Sequence, residues 1–580
     1  MNKISQHYLF VWVTFTLIVF AGKFGYSHTT LLHKDWMFRR VGTELWKEAT
    51  VPGTIHTDLL RHSLIQDPFY GDNETKIQWV SKADWEYKTF FQVDLKKRAQ
   101  GIFIRFHGLD TYADVMLNGI IILHSDNMFR TYDVDISSFV KYENELSIVF
   151  HSAELKADSI ANLYLPLVRP CENNRHYIRK AQYHFGWDWA PRILTTGIWR
   201  DVELVYGDLP QPGNSQYSSV RFVQESDSIG RSFYFTEDGK PIYMKGANWV
   251  PADVFLPRVN KNKYRNLLLA AKEAKLNMLR VWGGGIYEDD AFYDLCDSLG
   301  IYVWQDFMFA GAMYPADSFF SENVRAEVKD NILRLRKHKC IVLWCGNNEI
   351  NEAWNNWAWQ SQFHISFEDS VRLWNEYDRL FNQVIPDLVK ELDSGRSYIP
   401  SSPLFGWGRE KSMTEGDSHY WGLWWGHYSL DSIRLKIPRF MSEFGMQAMP
   451  SMESILKFAA KSDLDTSSMV MKLHQKHSTG FATLADYLSM EKIAVTNFQT
   501  FVLGTQELQK RCLKAGYEAQ MNSNGRCMGS LWWQFNDCWP VCSWSLIDYY
   551  GVKKKAYYSL KDIEIKKDAS SMKPSKKKLE

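Results

Sequence analysis

The sequence predicts a multi-domain chain, an N-terminal β-sandwich followed by a (β/α)8 barrel, and three observations carry this reading. From about Asp35 to Leu204, short runs of alternating apolar and polar residues are separated by turn signals. From Ile242 onward the rhythm becomes strand-then-helix, and eight strand-like runs over roughly 320 residues suit a barrel. The run Ile341-Val342-Leu343-Trp344-Cys345 then reads as a fully buried strand that breaks at Gly346 into Asn347-Asn348-Glu349.

The N-terminus carries Lys3, an apolar run from Leu9 to Ala21 and small or polar residues to Ser27. That run is shorter than a bilayer span needs, so 1–27 is expected to be a signal peptide, with an uncleaved anchor as the alternative. No later stretch is long and apolar enough to span, and the expected location is the secretory pathway, lysosomal or secreted, with no stable membrane association after cleavage. Asn73-Glu74-Thr75 is then a glycosylation sequon in a loop-like region. The eight Cys residues form no dense framework and no zinc-like spacing, so neither pairing nor a metal site is read from them.

The sandwich is expected over 30–206. Its strands include Glu86 to Val93, Ile102 to Phe106, Ala113 to Leu117 before the tight-turn pair Asn118-Gly119, and Leu146 to Phe150. Residues 207–240, with Pro210, Pro212 and Gly213, read as a linker holding at most one hairpin. The barrel is expected over 241–563, with strands at 242–247, 276–282, 301–306, 341–346, 397–400, 417–421, 439–443 and 529–535. Gly283-Gly284-Gly285 follows a strand but lacks the spacing of a nucleotide-binding loop, which disfavours an open doubly wound sheet. The Lys-rich stretch over 564–580 reads as a solvated, disordered tail.

A formal net charge of +1 gives no argument for a nucleic-acid partner. The 24 Trp within 15 % aromatic content fit either a large β-rich core or carbohydrate binding, since the apolar faces of sugars pack on flat rings. Glu349 taken alone is equally a helix cap and a catalytic carboxylate. A second carboxylate, in Arg439-Phe440-Met441-Ser442-Glu443-Phe444-Gly445, stands at the end of the seventh expected strand and would open on the same barrel face as Glu349. Glycoside hydrolysis needs such a pair, one protonated to expel the leaving oxygen and one ionised.

These residues carry a resemblance. Trp344-Cys345-Gly346-Asn347-Asn348-Glu349 resembles the acid/base signature of glycoside hydrolase family 2, and Ser442-Glu443-Phe444-Gly445 its nucleophile signature. Phe185 to Pro191, Gly246 to Asp253, Arg280 to Gly285 and Trp533 to Asp537 resemble the β-mannosidase branch, over about Asp35 to Tyr557. The resemblance implies a jelly-roll, galactose-binding-like sandwich and a retaining exo-β-mannosidase acting on terminal β-mannose of oligosaccharides, with no cofactor. Glu443 would be the nucleophile and Glu349 the acid/base, with Asn348 on the sugar 2-hydroxyl. Asp188 and Trp189 would reach in from the sandwich, and Trp282, Trp357, Trp407, Tyr420 and Trp533 would wall the pocket. His419 and Arg280 would orient the carboxylates. The alternatives are another family-2 exo-glycosidase (β-galactosidase, β-glucuronidase or glucosaminidase) or a carbohydrate-binding form without activity. The family pattern places an immunoglobulin-like domain before the barrel and further β domains after it. Leu204 to Ser232 is too short for the former, so a shortened form with exposed apolar patches is expected.

Overall fold

The computed structural model describes residues 28–564. The signal-peptide reading and the tail beyond 564 lie outside the described residues.

Two antiparallel sheets form the N-terminal part. One orders Lys47–Glu48, Met37–Arg40, Trp85–Gln92, Glu143–His151, Tyr112–Leu117 and Ile120–Asp126 side by side. The other orders His28–Leu31, Val202–Tyr206, Ile102–Phe106 and Tyr132–Asp135. Alternation decides what is inside. Tyr87, Ile148 and Val115 stand opposite one another on three neighbouring strands and are fully buried. Burying each such side chain is worth roughly 1.5–3 kcal/mol before entropy is counted. Asn118 and Gly119 both take positive φ (53° and 82°), the backbone that a two-residue hairpin requires.

The second half is built on eight parallel strands: β1 (Met244–Trp249), β2 (Met278–Val281), β3 (Tyr302–Asp306), β4 (Ile341–Cys345), β5 (Ser397–Ile399), β6 (Ser418–His419), β7 (Met441–Phe444) and β8 (Gly529–Trp532). Every run expected from the sequence supplies one. The sheet order is β5-β4-β3-β2-β1-β8-β7-β6, so the first and last strands in sequence are hydrogen-bonded neighbours. All five residues of β4 are buried, as a strand covered on both faces must be. Lys261–Glu273, Asp290–Leu299 and Ser318–Leu335 are helices, each started by a side-chain cap from Asn260, Asp289 or Asp317. The β5–β6 and β6–β7 connections carry only short 3₁₀ turns, Glu410–Met413 and Leu430–Leu435.

The linker departs from expectation. Instead of at most one hairpin it holds a three-stranded meander, Val220–Val223, Tyr234–Glu237 and Lys240–Ile242. Tertiary packing explains this, because Phe233 stacks on Trp304 at 5.6 Å and meets Phe440 at 5.0 Å. Phe233 and Phe235 join Met244, Met278, Leu343 and Leu531 in one apolar cluster, which caps the sheet toward the strand starts.

A buried polar joint fixes the sandwich against the parallel sheet. Arg179 makes two bonds of 2.7 Å to Glu327, donates to Met308 O, and both side chains are almost fully buried. Arg175 donates to Ala310 O and Gly311 O at 2.9 Å. Trp187 meets Trp282 edge-on at 4.9 Å, and Trp539 Nε1 donates to Trp189 O at 3.0 Å. The segment carrying Asp188 is therefore held over the C-terminal ends of the strands.

The sequon lies in a helical turn and not in the expected loop. Asn73 lies in a one-turn helix, Asn73–Lys76, and is only 6 % exposed. Its Nδ2 donates to Asp67 O at 2.9 Å, so in the folded chain the atom that would carry a glycan is packed and bonded. All eight cysteines are free thiols.

Candidate active site

The strand β4 delivers Glu349 through a tightly specified turn. At Gly346 a Cβ would lie 2.4 Å from Pro400 O and from the Tyr398 hydroxyl, so only glycine fits. Asn347 is buried, donating to Pro400 O and accepting from Ile350 N and from Ser401 Oγ. Glu349 then adopts left-handed backbone (φ 64°) at the start of the helix Ile350–Asn356. A non-glycine residue there costs about 1–3 kcal/mol and persists only where the surroundings impose it. Its side chain makes no capping hydrogen bond. The helix-cap reading therefore fails: Glu349 Oε1 goes instead to His419 Nδ1, at 2.8 Å.

The second carboxylate, Glu443 on β7, faces the first. Glu349, His419 and Glu443 offer one atom each within 4.8 Å of one another, and Glu443 Oε2 is 3.3 Å from His419 Nδ1. Arg280 on β2 organises the floor. Its Nη1 donates to Glu443 Oε1 at 2.7 Å and to Asn248 Oδ1 at 3.1 Å. Its Nη2 donates to Asn348 Oδ1 at 2.7 Å and to Asp306 Oδ2 at 2.9 Å. Asn348 Nδ2 in turn donates to Glu349 Oε2 at 3.1 Å, so one guanidinium touches the nucleophile candidate directly and the acid candidate through Asn348.

Charge follows from this geometry. Burial opposes the charge of Arg280, but Asp306 and Glu443 outweigh it and hold the guanidinium protonated. Burial raises the Glu349 carboxyl to about 7, against the pull of Arg280. Burial, and then the charge of Glu349, push Glu443 upward, and Arg280 pulls it back. Two carboxyls this close do not both ionise near neutrality. The direct Arg280 contact favours the negative charge on Glu443 over Glu349, against the upward push of burial on Glu443. Burial, and then Arg280, depress His419 well below the ordinary imidazole range, so it stands neutral. Three ligand-type atoms converge here, yet Arg280 already supplies the compensating positive charge, which suits proton transfer better than cation binding.

Comparison with known proteins agrees with this chemistry. Residues 36–200 match the glycosyl hydrolase 2 galactose-binding domain-like family. The chain is 32 % identical over 655 residues to β-mannosidase B of Thermothelomyces thermophilus, covering 91 % of this chain and 76 % of that one. It is 30 % identical over 666 residues to β-mannosidase of Rattus norvegicus, covering 91 % and 75 %. The crystal structure of β-D-mannosidase from Dictyoglomus thermophilum superposes with TM-score 0.85 at 34 % identity, over 92 % of this chain and 77 % of that one. The chain belongs to the β-mannosidases of glycoside hydrolase family 2.

Within this β-mannosidase scaffold the remaining expected residues separate into two groups. Burial, and then the charge of Glu349, raise Asp188 to about 7, and its Oδ1 is buried with no protein partner. Trp282 and Trp533 meet at 5.7 Å, and the Trp533 amide bonds to Phe444 O beside Glu443. Trp407 is half-buried and its amide donates to His419 O. Trp189 and Tyr420 are fully buried. Trp189 is packed against Trp282 and Trp533, and Tyr420 turns its hydroxyl to Ser432. Trp357 ends the helix that Glu349 begins, 38 % exposed and set against Trp359. No hydrogen bond or ring contact ties it to the carboxylates among the described residues. Sequence reasoning assigned no role to Asn248, Asp306, Ser402 or Asp417, which complete the polar floor. Asn248 and Asp306 stand at or beside strand ends, the one signal that could have marked them.

Proposed function

We propose that the chain is a retaining exo-β-mannosidase that removes terminal β-mannose from oligosaccharides, working on a closed (β/α)8 barrel. The cyclic strand order supports the barrel. The domain reading is a sandwich over 30–206, a short connection to 240 and a barrel over 241–563. The 655-position match to the fungal relative is longer than this whole chain, which supports an internal shortening. Entry to the secretory pathway rests on the signal-like N-terminus.

One observation carries the mechanism, the approach of Glu349 and Glu443 carboxyl oxygens within 4.8 Å. Retaining pairs stand about 5 Å apart, too close for an intervening water and right for direct attack. Glu443, ionised beside Arg280, attacks the anomeric carbon. The bond to the aglycone oxygen breaks as Glu349 transfers its proton there, leaving a mannosyl ester on Glu443. A water then loses its proton to Glu349 and attacks the same carbon, which releases Glu443. Asp188, with its unpartnered buried oxygen, is placed to accept from sugar hydroxyls. The sandwich segment above it closes one side of the pocket, which favours a chain end over an internal residue.

A panel of aryl β-glycosides tests this. β-Mannoside should be cleaved in preference to the galactoside, glucuronide and glucosaminide, with kcat/KM falling above about pH 7 as Glu349 loses its proton. Preference for another sugar would overturn the substrate assignment.

A further inference from the structure

His419 lies between the two carboxyls, and which of its nitrogens carries the proton is settled by residues further out. Asp417, Ser402 and Ser442 are fully buried. Asp417 Oδ2 accepts from Ser402 Oγ and from Ser442 Oγ, both at 2.6 Å, and Oδ1 accepts from Leu404 N at 3.0 Å. A 2.6 Å contact to a carboxylate oxygen is a charge-assisted hydroxyl donation. Ser402 has one proton, and it is spent on Asp417. Its oxygen, 3.2 Å from His419 Nε2, can therefore only accept from that nitrogen. Arg280 Nη1 is the other neighbour of Nε2, at 3.4 Å, but its two hydrogens have nearer acceptors in Glu443 and Asn248.

We propose that Asp417 and Ser402 are positioning residues that hold His419 in its Nε2–H form and so fix the catalytic proton on Glu349. In that form Nδ1 presents a lone pair to Glu349 Oε1 at 2.8 Å and to Glu443 Oε2 at 3.3 Å. A lone pair at 2.8 Å from an oxygen is tolerated only with a hydrogen between them. Glu443 is engaged by Arg280, so the hydrogen belongs to Glu349. In the second half-reaction the same lone pair makes ionised Glu349 a stronger base toward water. The charged and titratable groups facing this pair are Arg280 with Asp306 from β2 and β3, Glu443 from β7, Asp417 beside β6, and Asp188 from the sandwich. Among the described residues only the Asp417–Ser402 arm reaches Nε2 with an acceptor. The opposite tautomer would donate from Nδ1 to the carboxylate and make Glu349 a weaker base.

The inference rests on the retaining reading above. Its test is the pH dependence of kcat/KM for Ser402→Ala with a β-mannoside of poor leaving group. Without the hydroxyl, Nε2 loses its acceptor and Arg280 can donate to it instead, so the Nδ1–H form takes over. The alkaline limb should move to lower pH by about one unit or more. Ser402→Thr, which keeps the hydroxyl, should restore it. With a dinitrophenyl leaving group, whose departure needs no acid, the Ser402→Ala loss should be much smaller. A folded Ser402→Ala chain with an unmoved limb, or with equal loss at every pH, overturns the inference. Should that variant fail to fold, the isosteric Asp417→Asn decides: its amide would donate to Ser402 and turn the serine proton to His419, giving the same shift, and an unmoved limb overturns the inference. Active wild type with an unmoved limb removes the tautomer assignment alone. Wild type inactive on β-mannosides removes both.

Discussion

Glu443→Gln should lower turnover of a β-mannoside by about 10⁴-fold or more, the scale seen when a covalent nucleophile is removed from an intact site. The glutamine has the shape of the glutamate and can still accept from Arg280 Nη1, but its neutral amide cannot form the ester. Arg280 keeps Asp306 at 2.9 Å and Asn348 at 2.7 Å, so it is not stranded without a counter-charge. Removing one of two crowded carboxyls also relieves their repulsion. The melting temperature should accordingly stay within a few degrees of wild type while activity disappears. Activity loss accompanied by a collapse in melting temperature would instead assign Glu443 to the scaffold. Calorimetry beside steady-state kinetics separates the two.

Glu349→Ala should behave differently, and its dependence on the leaving group is the diagnostic. General acid catalysis contributes about 10²–10⁴-fold, so oligosaccharides and alkyl mannosides should lose that much. An activated aryl mannoside leaves unassisted, so its first step should be nearly normal. The mannosyl enzyme should then accumulate, because no base remains to activate water. Azide, a small anion that needs no deprotonation, should enter the space left by the side chain. It should restore turnover and give the β-mannosyl azide. An α-azide, or loss independent of the leaving group, would contradict the assignment of Glu349 as acid/base of a double displacement.

Much of this is legible in the sequence, for specific physical reasons. Parallel strands covered on both faces favour unbroken apolar runs, which is why Ile341–Cys345 could be read directly. Glu349 alone was equally a helix cap, and Glu443 at the end of another expected strand is what singled the two out as a pair. The meander at Val220–Ile242 was not legible, since it is held by the packing of Phe233 on Trp304 and Phe440 and of Phe235 on Phe440. Trp189 and Tyr420 mark another limit. Composition says that aromatics gather near a sugar pocket but not which ring faces it, and these two are fully buried. Asn73 carries a sequon whose accessibility depends on a helix too short to announce itself. The arm from Asp417 through Ser402 to His419 spans a bend between β5 and β6, and hydrogen-bond direction has no sequence signature at all.

The central claim is a covalent mannosyl ester on Glu443, and the most direct measurement is trapping by a 2-deoxy-2-fluoro-mannosyl fluoride followed by mass spectrometry of the digested protein. The fluorine slows both steps and the fluoride leaving group restores the first, so the ester should persist. The account predicts one fluoromannosyl unit per chain, on the peptide containing Met441-Ser442-Glu443-Phe444 and located to Glu443, with activity lost in step with labelling. A folded, active chain that gains no label, or gains it on another residue, would contradict it.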